Sequence, residues 1–136
     1  MFEWIDRYNT GVAKIDDQHR HIVRCINELM VDHDTLRVSD TVEHLLKSLE
    51  DYISTHLAAE EELMIKIAYP GFNLHQEKHN FFIQKFEEFN ESLRDGNRHR
   101  SVSAKLLVFL SEWFLEHIQV EDQKYVPYIN NEDLGS

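Results

Sequence analysis

Apolar residues recur three and four positions apart along four stretches of the chain, which is the spacing of one face of an α-helix. The first stretch covers residues 18–35, and the others begin near residues 39, 73 and 101. Four amphipathic helices with short connections favour an all-α, up-down-up-down four-helix bundle with an irregular N-terminal arm. We predict a single domain over residues 1–136. The apolar stripes contain Ile22, Val23, Ile26, Leu29; Val42, Leu45, Leu46, Leu49, Ile53, Leu63; Phe82, Phe86, Phe89, Leu93; and Val102, Leu106, Leu110, Trp113 and Val120.

Residues that favour helix ends and turns separate these stretches. The sequence of residues 69–72, with Pro70 and Gly71, predicts a stop and turn between the second and third helices. The predicted N-caps are Asp16 or Asp17, Ser39 or Asp40, Asn73 (with Gln76 as a capping box), and Ser101 for the fourth helix. The third helix is predicted to end at residues 95–97, and Pro127 closes the fourth helix or a short tail helix.

The composition agrees with a helical fold, since the chain has only four Gly and two Pro. Its net charge is −11 with His counted as neutral, and an acidic surface repels nucleic-acid phosphates and anionic lipid. No apolar run is long enough to span a membrane, and no signal peptide follows Met1. The lone Cys25 lies among apolar residues, which favours a core position over a reactive thiol. We therefore expect a cytoplasmic protein that binds neither nucleic acid nor membranes.

The chain contains nine His, and several of them fall on the apolar stripes instead of the polar faces. A buried polar group without a partner costs about 2–7 kcal/mol, and an unpaired buried charge costs more. A metal ion would compensate such a group of side chains, so these residues are candidate metal ligands. Every predicted helix contributes at least one of them: His19, His56, Glu60, His75, His79 and His117.

Each motif is weak alone, because a pair such as His56 and Glu60 arises by chance in a chain so rich in His and acidic residues. A single His on an apolar stripe is more often a hydrogen-bonded core residue than a ligand. The joint pattern points to metal, since residues four apart share a helical face. Asp122 follows His117 by five residues, which is about 140° around a helix, so spacing alone leaves its role open.

The other His residues lack partners at ligand spacing. We expect His21, His33, His44 and His99 at the surface or at helix ends, although His33 lies close to the stripe of its helix. In the acidic run of residues 60–62, only Glu60 shares the face of His56, and its two neighbours are expected to be solvated.

The donor set restricts the metal. Neutral imidazole suits iron, copper, zinc and nickel, whereas oxygen donors favour harder ions. The absence of Cys from the set excludes cysteine zinc clusters and iron–sulfur centres. Five imidazoles and two carboxylates exceed the needs of one ion. Two six-coordinate irons with bridging carboxylates and a bridging oxide or hydroxide would leave one position open, and an imidazole-rich set favours Fe(II) and reversible dioxygen binding.

Four segments of the chain resemble the hemerythrins, and in particular the stand-alone bacterial members, the bacteriohemerythrins. These segments are residues 11–19, 56–64, 69–79 and 113–122, and the likeness extends from Trp4 to about Tyr128. The resemblance implies a hemerythrin-like domain that holds two iron ions with a bridging oxide or hydroxide. It implies that one iron is held by His75, His79 and His117 and the other by His19 and His56, with Glu60 and Asp122 bridging both.

The resemblance also implies an oxygen pocket beside the open position, which would belong to the two-histidine iron. Its lining would be Ile22, Leu57, Trp113 and Ile118, all of them apolar. Leu57 replaces the aromatic residue common at its position in the family, which leaves the pocket's volume and the rate of oxygen release undetermined. For Trp113, a plain core position is an equal alternative.

These observations favour a non-enzymatic carrier, store or deliverer of dioxygen that acts as a monomer, with an oxygen-consuming enzyme as a candidate recipient. A weak oxidase or peroxidase side activity stays open. An oxygen or redox sensor is the first alternative, but the sequence offers no linker or output domain for it. A di-iron oxidase, peroxidase or nitric oxide reductase would need a general acid or base outside the ligand set, and none is visible. Iron storage would need surplus acidic ligands that lead inward.

Overall fold

The computed structural model of the chain describes residues 3–94 and 99–129, which form four helices. Helix α1 is Ala13–Asp32 and helix α3 is Phe72–Arg94. Helix α2 runs from Val38–Asp51 through a π-helical turn, Tyr52–Leu57, into Ala58–Lys66. Helix α4 begins with His99–Phe109 and continues through two π-helical turns, Leu110–Phe114 and His117–Glu121, to Asp122–Lys124.

The predicted all-α four-helix bundle is confirmed, and residues 3–94 and 99–129 contain no strand. Helices α1 and α3 each pack against α2 and α4. Cys25 is buried as predicted, with its Sγ 3.7 Å from Ser48 Oγ. None of the helices in this part of the chain has the length and hydropathy that a membrane span requires. The core between the helices is formed by Ile22, Ile26, Leu29, Leu45, Leu49, Phe82, Leu106, Leu110 and Phe114.

Val120 departs from the predicted apolar stripe of the fourth helix, because its side chain is 43% exposed, whereas Ile118 is buried. The π-helical turns of α4 explain the difference. Such a turn closes a hydrogen bond between residues five apart instead of four, so the residues beyond it are rotated relative to a regular helix. A stripe predicted with α-helical spacing therefore fails in the last part of α4.

The first helix begins earlier than predicted, at Ala13, so neither Asp16 nor Asp17 caps it. The buried Asp16 carboxylate instead holds the preceding segment from inside the first turn. It accepts hydrogen bonds from the Thr10 N–H at 2.7 Å, the Thr10 hydroxyl at 2.9 Å and the Gly11 N–H at 3.2 Å. The arm is therefore shorter than predicted.

The described part of the arm, residues 3–12, contains one short 3-10 turn, Asp6–Tyr8, and is otherwise irregular, as predicted. Trp4 Nε1–H donates to Asn9 Oδ1 at 2.8 Å, and the Arg20 guanidinium lies over the Trp4 ring at 5.2 Å. These contacts place the ring of Trp4 6.3 Å from the ring of His19. The arm thus covers the end of the bundle at which His19 lies.

The N-caps predicted for the second and third helices are also wrong. Helix α2 begins at Val38, which places Ser39 and Asp40 inside its first turn. The burial of Val38 extends the helix beyond the residues that local propensity favours as caps. Helix α3 begins at Phe72, so Asn73 lies inside the helix and does not form a capping box.

Other predicted helix ends have mixed outcomes. Gln76 is the second residue of the predicted capping box. Its Nε2–H instead donates to Oε1 of Glu61, on α2, at 2.9 Å. Helix α4 already includes His99, so Ser101 does not start it. The predicted end of the third helix, residues 95–97, lies outside the described residues. Pro127 lies in the short 3-10 turn Val126–Tyr128 after α4, as predicted.

The predicted stop between α2 and α3 is confirmed, and α2 ends there in a Schellman motif. The Tyr69 N–H donates to the Met64 carbonyl at 2.9 Å, and the Ala68 N–H donates to the Ile65 carbonyl at 3.1 Å. Ala68 has a φ of 54°, in the left-handed region that favours glycine because glycine has no Cβ. The end of α2 therefore carries backbone strain at Ala68.

We expect Ala68→Gly to raise the free energy of unfolding by about 1 kcal/mol, because glycine removes the steric cost of the left-handed conformation. Ala104→Gly, at an exposed position inside α4, is the matched control and should lower that free energy by about 0.5–1 kcal/mol. Urea unfolding followed by circular dichroism measures both. A loss of stability in Ala68→Gly as large as that in Ala104→Gly would contradict the left-handed assignment.

Candidate metal centre

All seven of the predicted ligands meet in the interior of the bundle, and each is at most 3% exposed. Their ligand atoms form two groups, within each of which all atoms lie within 4.8 Å of one another. The first group is Glu60, His75, His79, His117 and Asp122, and the second is His19, His56, Glu60 and Asp122. Glu60 and Asp122 belong to both groups. We call the first the three-His group and the second the two-His group.

A π-helical turn places Asp122 beside His117. The Asp122 N–H donates to the His117 carbonyl, a hydrogen bond between residues five apart. This bond closes the wider turn His117–Glu121 and brings both side chains to the interior face of α4. On a regular helix, the spacing of five residues would turn Asp122 away from His117. The π-helical turn removes this difference and places both side chains on one face.

In the three-His group, imidazole nitrogens surround one oxygen of each carboxylate. The Nε2 atoms of His75 and His79 lie 2.9 Å and 3.0 Å from Glu60 Oε1. The Nε2 atoms of His75 and His117 lie 3.0 Å and 3.1 Å from Asp122 Oδ1. Glu60 Oε1 and Asp122 Oδ1 thus both face this group.

In the two-His group, the other oxygen of each carboxylate faces the remaining imidazoles. His19 Nε2 lies 3.0 Å from Asp122 Oδ2, and His56 Nε2 lies 3.4 Å from Glu60 Oε2. Each carboxylate therefore presents one oxygen to each group, which is the arrangement of a carboxylate that bridges two cations.

The site is not satisfied by its own hydrogen bonds, although its atoms lie close together. Within the described part of the chain, neither carboxylate oxygen of Asp122 has a hydrogen-bond partner, nor do the Nε2 atoms of His19, His56 and His117. The short distances to Asp122 lack the direction of hydrogen bonds and join atoms that converge on a common space. Buried polar atoms without partners are costly, and cations at these positions would satisfy them. The residues present therefore fit metal binding.

The titratable side chains of the site form ion pairs. Burial alone would raise the pKa of Glu60, but the nearby imidazoles of His56, His75 and His79 outweigh burial and hold that pKa well below its usual value. Burial and the neighbouring Glu60 would raise the pKa of Asp122, yet the imidazole of His117 lowers it overall. Both carboxylates are therefore anions, the form in which a carboxylate binds a cation.

We expect metal uptake at pH 7 to release about one proton from His75. Burial lowers the pKa of this imidazole, but its contacts with Asp122 and Glu60 outweigh burial and raise the pKa to about 9. Since His75 is protonated below that pH and a ligand must be neutral, cation affinity should rise as the pH increases from 7 toward 9. Calorimetric titration with Zn²⁺ in buffers of different ionisation enthalpy measures the release. A binding enthalpy independent of the buffer would contradict it.

Three residues that hold the ligands in place were not identified from the sequence. His56 Nδ1 is hydrogen-bonded to Gln18 Oε1, and His79 Nδ1 lies 2.8 Å from Glu61 Oε2. The Tyr125 hydroxyl donates to Glu60 Oε2 at 3.0 Å. The expectation that Glu61 is simply solvated is wrong, because its carboxylate reaches across to α3. Tyr125 follows Asp122 by three residues, a spacing that points to the same face, whereas the other two contacts join different helices.

Three of the four residues of the predicted oxygen pocket are buried in the bundle. They are Ile22, Leu57 and Ile118. Trp113 is partly buried, and its ring stacks on the ring of His117 with centroids 4.8 Å apart and planes 9° apart. Trp113 also stacks on the rings of Phe82 and Phe109, so it belongs to an aromatic cluster between α3 and α4.

Two further aromatic residues contact the two-His group. Tyr52 stacks on His56 with ring centroids 4.4 Å apart and planes 17° apart. Phe114 is fully buried and packs edge-on against His19, with ring centroids 6.5 Å apart. Tyr52 precedes His56 by four residues, a spacing that indicates a shared face, so the sequence contained a signal for it.

The remaining His residues lie outside the centre. The Nδ1 atom of His33, a residue predicted close to the apolar stripe of the first helix, lies 2.7 Å from Ser103 Oγ on α4. His99 Nε2 lies 3.1 Å from Glu43 Oε1, and His21 and His44 are exposed. Neither metal group contains any of these four residues.

Comparisons with known proteins agree with this geometry. Residues 10–129 match the family profile described as the hemerythrin HHE cation binding domain. A bacteriohemerythrin from Stenotrophomonas maltophilia (strain R551-3) is 32% identical over 129 residues, which cover 95% of this chain and 82% of that protein. A bacteriohemerythrin from Clostridium acetobutylicum is 30% identical over 93% of this chain and 99% of its own length. A hemerythrin-like protein from Naegleria gruberi is 28% identical over 91% of this chain and 90% of its own length.

Proposed function

Because this chain belongs to the hemerythrin family, we propose that it binds dioxygen reversibly at a non-haem di-iron centre in the core of its bundle. The observation that carries the proposal is the sharing of two buried carboxylates between two groups of imidazoles. A single cation would need only one of these groups. The donor set, rich in neutral imidazole and free of Cys, suits iron.

Each group supplies the ligands for one ion in this proposal. His75, His79 and His117 would hold the first iron, and His19 and His56 would hold the second. Glu60 and Asp122 would serve both irons, together with an oxide or hydroxide. Such a centre would supply two reducing equivalents and one open position for a small ligand, which we assign to the two-His side because that side has fewer protein ligands.

The side chains around the ligands keep the site dry and keep its bridging carboxylate in place. Ile22, Leu57 and Ile118 are buried and apolar, and water in an apolar cavity lacks the polar partners that it normally needs. Burial, with the nearby carboxylates of Glu60 and Asp122, raises the pKa of Tyr125 well above its usual value. Its hydroxyl therefore keeps its proton and continues to donate to Glu60.

The surroundings of the site favour a carrier over an enzyme. A cavity of about 230 Å³ is lined by Ile118, and another of about 220 Å³ is lined by Ile22. Neither is lined by any of the seven candidate ligands. A diatomic gas can pass between buried apolar side chains, whereas neither of these two cavities would bring a larger substrate to the ligands.

An oxygen electrode tests the proposal. The iron-loaded, anaerobically reduced protein should take up about one dioxygen per pair of irons, stop, and release it under argon. Oxygen consumption that continues for as long as a reductant is supplied would support an oxidase instead and contradict the carrier function.

Ile118 gives a prediction for the oxygen pocket. We expect Ile118→Glu, which brings a polar group and water toward the open position, to autoxidise roughly ten-fold faster than wild type, and Ile118→Ala to show a smaller increase. Val120→Glu, two residues away but exposed, is the matched control and should behave as wild type. The decay of the oxygenated absorbance at fixed pH measures the rates, with iron content determined in parallel. Full iron content with unchanged decay in both Ile118 variants would exclude a guarding role.

The wider setting follows from the same proposal. We expect residues 1–136 to act as one domain and as a monomer in the cytoplasm, with dioxygen as the ligand and an oxygen-consuming enzyme as its recipient. We expect no nucleic-acid or membrane partner, because the net charge of −11 repels nucleic-acid phosphates and anionic lipid.

A further inference from the structure

The two groups of imidazoles are anchored by side chains of different charge. Nδ1 of His79, in the three-His group, is hydrogen-bonded to the carboxylate of Glu61 at 2.8 Å. Nδ1 of His56, in the two-His group, is hydrogen-bonded to the amide oxygen of Gln18. Across residues 3–94 and 99–129, the Nδ1 atoms of the other three ligand imidazoles have no hydrogen-bond partner. Each group therefore contains one anchored imidazole, and the two anchors differ by a full charge.

A cation on Nε2 requires each imidazole to be neutral, so Nδ1 must carry the proton and donate it outward. A hydrogen bond to a carboxylate is charge-assisted and roughly twice as strong as one to a neutral amide. It also makes the imidazole a better electron donor to the metal. His79 is thereby a stronger donor than His56, although both residues are imidazoles.

Glu61 is itself held in position. Its Oε1 accepts a hydrogen bond from Gln76 Nε2 at 2.9 Å, which leaves Oε2 to face His79. Its side chain is 22% exposed, so the carboxylate stays partly hydrated. Partial hydration removes much of the cost of placing this charge beside a buried site. Gln76, Glu61 and His79 thus form a chain from the surface to the three-His group.

We propose that Glu61 and Gln18 are positioning residues that make the two metal positions unequal. The charged anchor strengthens the three-His position, which loads first and retains its cation longer. The neutral anchor leaves the two-His position weaker and electron-poor, and this favours Fe(II) on the side assigned to the open position. The inference rests on the proposed function only in requiring that both groups bind metal.

Isosteric exchanges separate this effect from the different number of imidazoles. Glu61→Gln removes the charge of one anchor, and Gln18→Glu adds a charge to the other, while each side chain keeps its shape. Glu62→Gln and Gln84→Glu make the same changes at exposed positions on α2 and α3 and serve as controls. The double variant Glu61→Gln with Gln18→Glu exchanges the two anchors.

The experiment titrates the metal-free protein with Co²⁺ in competition with a chelator and reads the d–d absorbance, so no oxygen chemistry is involved. Glu61→Gln should raise the lower of the two Co²⁺ dissociation constants by about 10–100-fold. Gln18→Glu should lower the higher of the two by about ten-fold. A His56→Ala background removes one ligand of the two-His group, and there Glu61→Gln should still weaken the remaining position whereas Gln18→Glu should have no effect.

Two results overturn the inference in distinguishable ways. Binding of two Co²⁺ with constants that change in neither anchor variant, or that change equally in the exposed controls, would overturn it while leaving the di-metal proposal standing. Binding of fewer than two Co²⁺ by wild type would overturn the di-metal proposal and the inference with it. Circular dichroism of each variant establishes that the helices are retained.

Discussion

Glu60→Ala should bind well under half of the iron that the wild-type protein binds, which we expect to be about two irons per chain. Glu60 Oε1 and Oε2 face the two groups of imidazoles separately, so this substitution removes a ligand from both positions at once. It also leaves three imidazoles without their shared carboxylate. The loss of a single terminal ligand, as in His79→Ala, should be smaller because one position remains complete.

The measurement is iron per chain after anaerobic reconstitution and desalting. His33→Ala is the control, because His33 directly follows α1, is hydrogen-bonded to Ser103 and belongs to neither metal group. It should retain about the wild-type iron content. Full iron in Glu60→Ala together with metal loss in His33→Ala would reverse the assignment of the site.

Removal of the metal should lower the midpoint of thermal unfolding by about 10–20 °C. A ligand at a thousand times its dissociation constant stabilises a fold by about 4 kcal/mol, and each kcal/mol corresponds to several degrees in a domain of this size. The metal-free core contains five imidazoles and two carboxylates, several of whose atoms lack hydrogen bonds within the described ranges. Their ion pairs and the apolar core should preserve a loosened bundle instead of a random coil.

Thermal unfolding of chelator-treated and iron-loaded protein, followed by circular dichroism at fixed pH, tests this prediction. Readdition of Fe²⁺ under anaerobic conditions should restore the higher midpoint, which controls for damage during chelation. Equal midpoints in the two forms would mean that the metal does not stabilise the fold through the buried cluster.

Helical spacing predicted the bundle and placed six of the seven candidate ligands on the correct faces for a physical reason, whereas Asp122 came only from the family resemblance. Helical spacing relates residues three or four apart to one face, and five imidazoles on apolar stripes are too costly to leave uncompensated. Both arguments need only local periodicity. They placed His56 with Glu60, and His75 with His79, before any tertiary contact was known.

Where the helix is irregular, the same argument fails. The π-helical turn His117–Glu121 moves Asp122 onto the face of His117 and turns Val120 outward, and no rule of regular spacing gives either result. Such turns are rare and frequently occur at functional sites, which agrees with their position here. Periodicity was least reliable at the segment that supplies a shared ligand.

Contacts between helices were likewise beyond local pattern. Glu61 reads as part of a solvated acidic run until α3 brings His79 to its carboxylate. Gln18 reads as a helix-end residue until α2 brings His56 to its amide. The N-caps failed for a related reason, since the burial of Val38 and the bonds of Asp16 to the arm set the helix starts more strongly than local propensity.

The most direct test of the central claim is one cycle of oxygenation followed by optical absorbance. Iron-loaded protein, reduced under anaerobic conditions, is scanned, exposed to air, scanned again and then deoxygenated under argon. If the chain binds dioxygen reversibly at a di-iron centre, air should produce a new visible absorption band, and argon should restore the reduced spectrum without any added reductant. Immediate oxidation in air, with a spectrum that argon does not reverse, would contradict reversible binding.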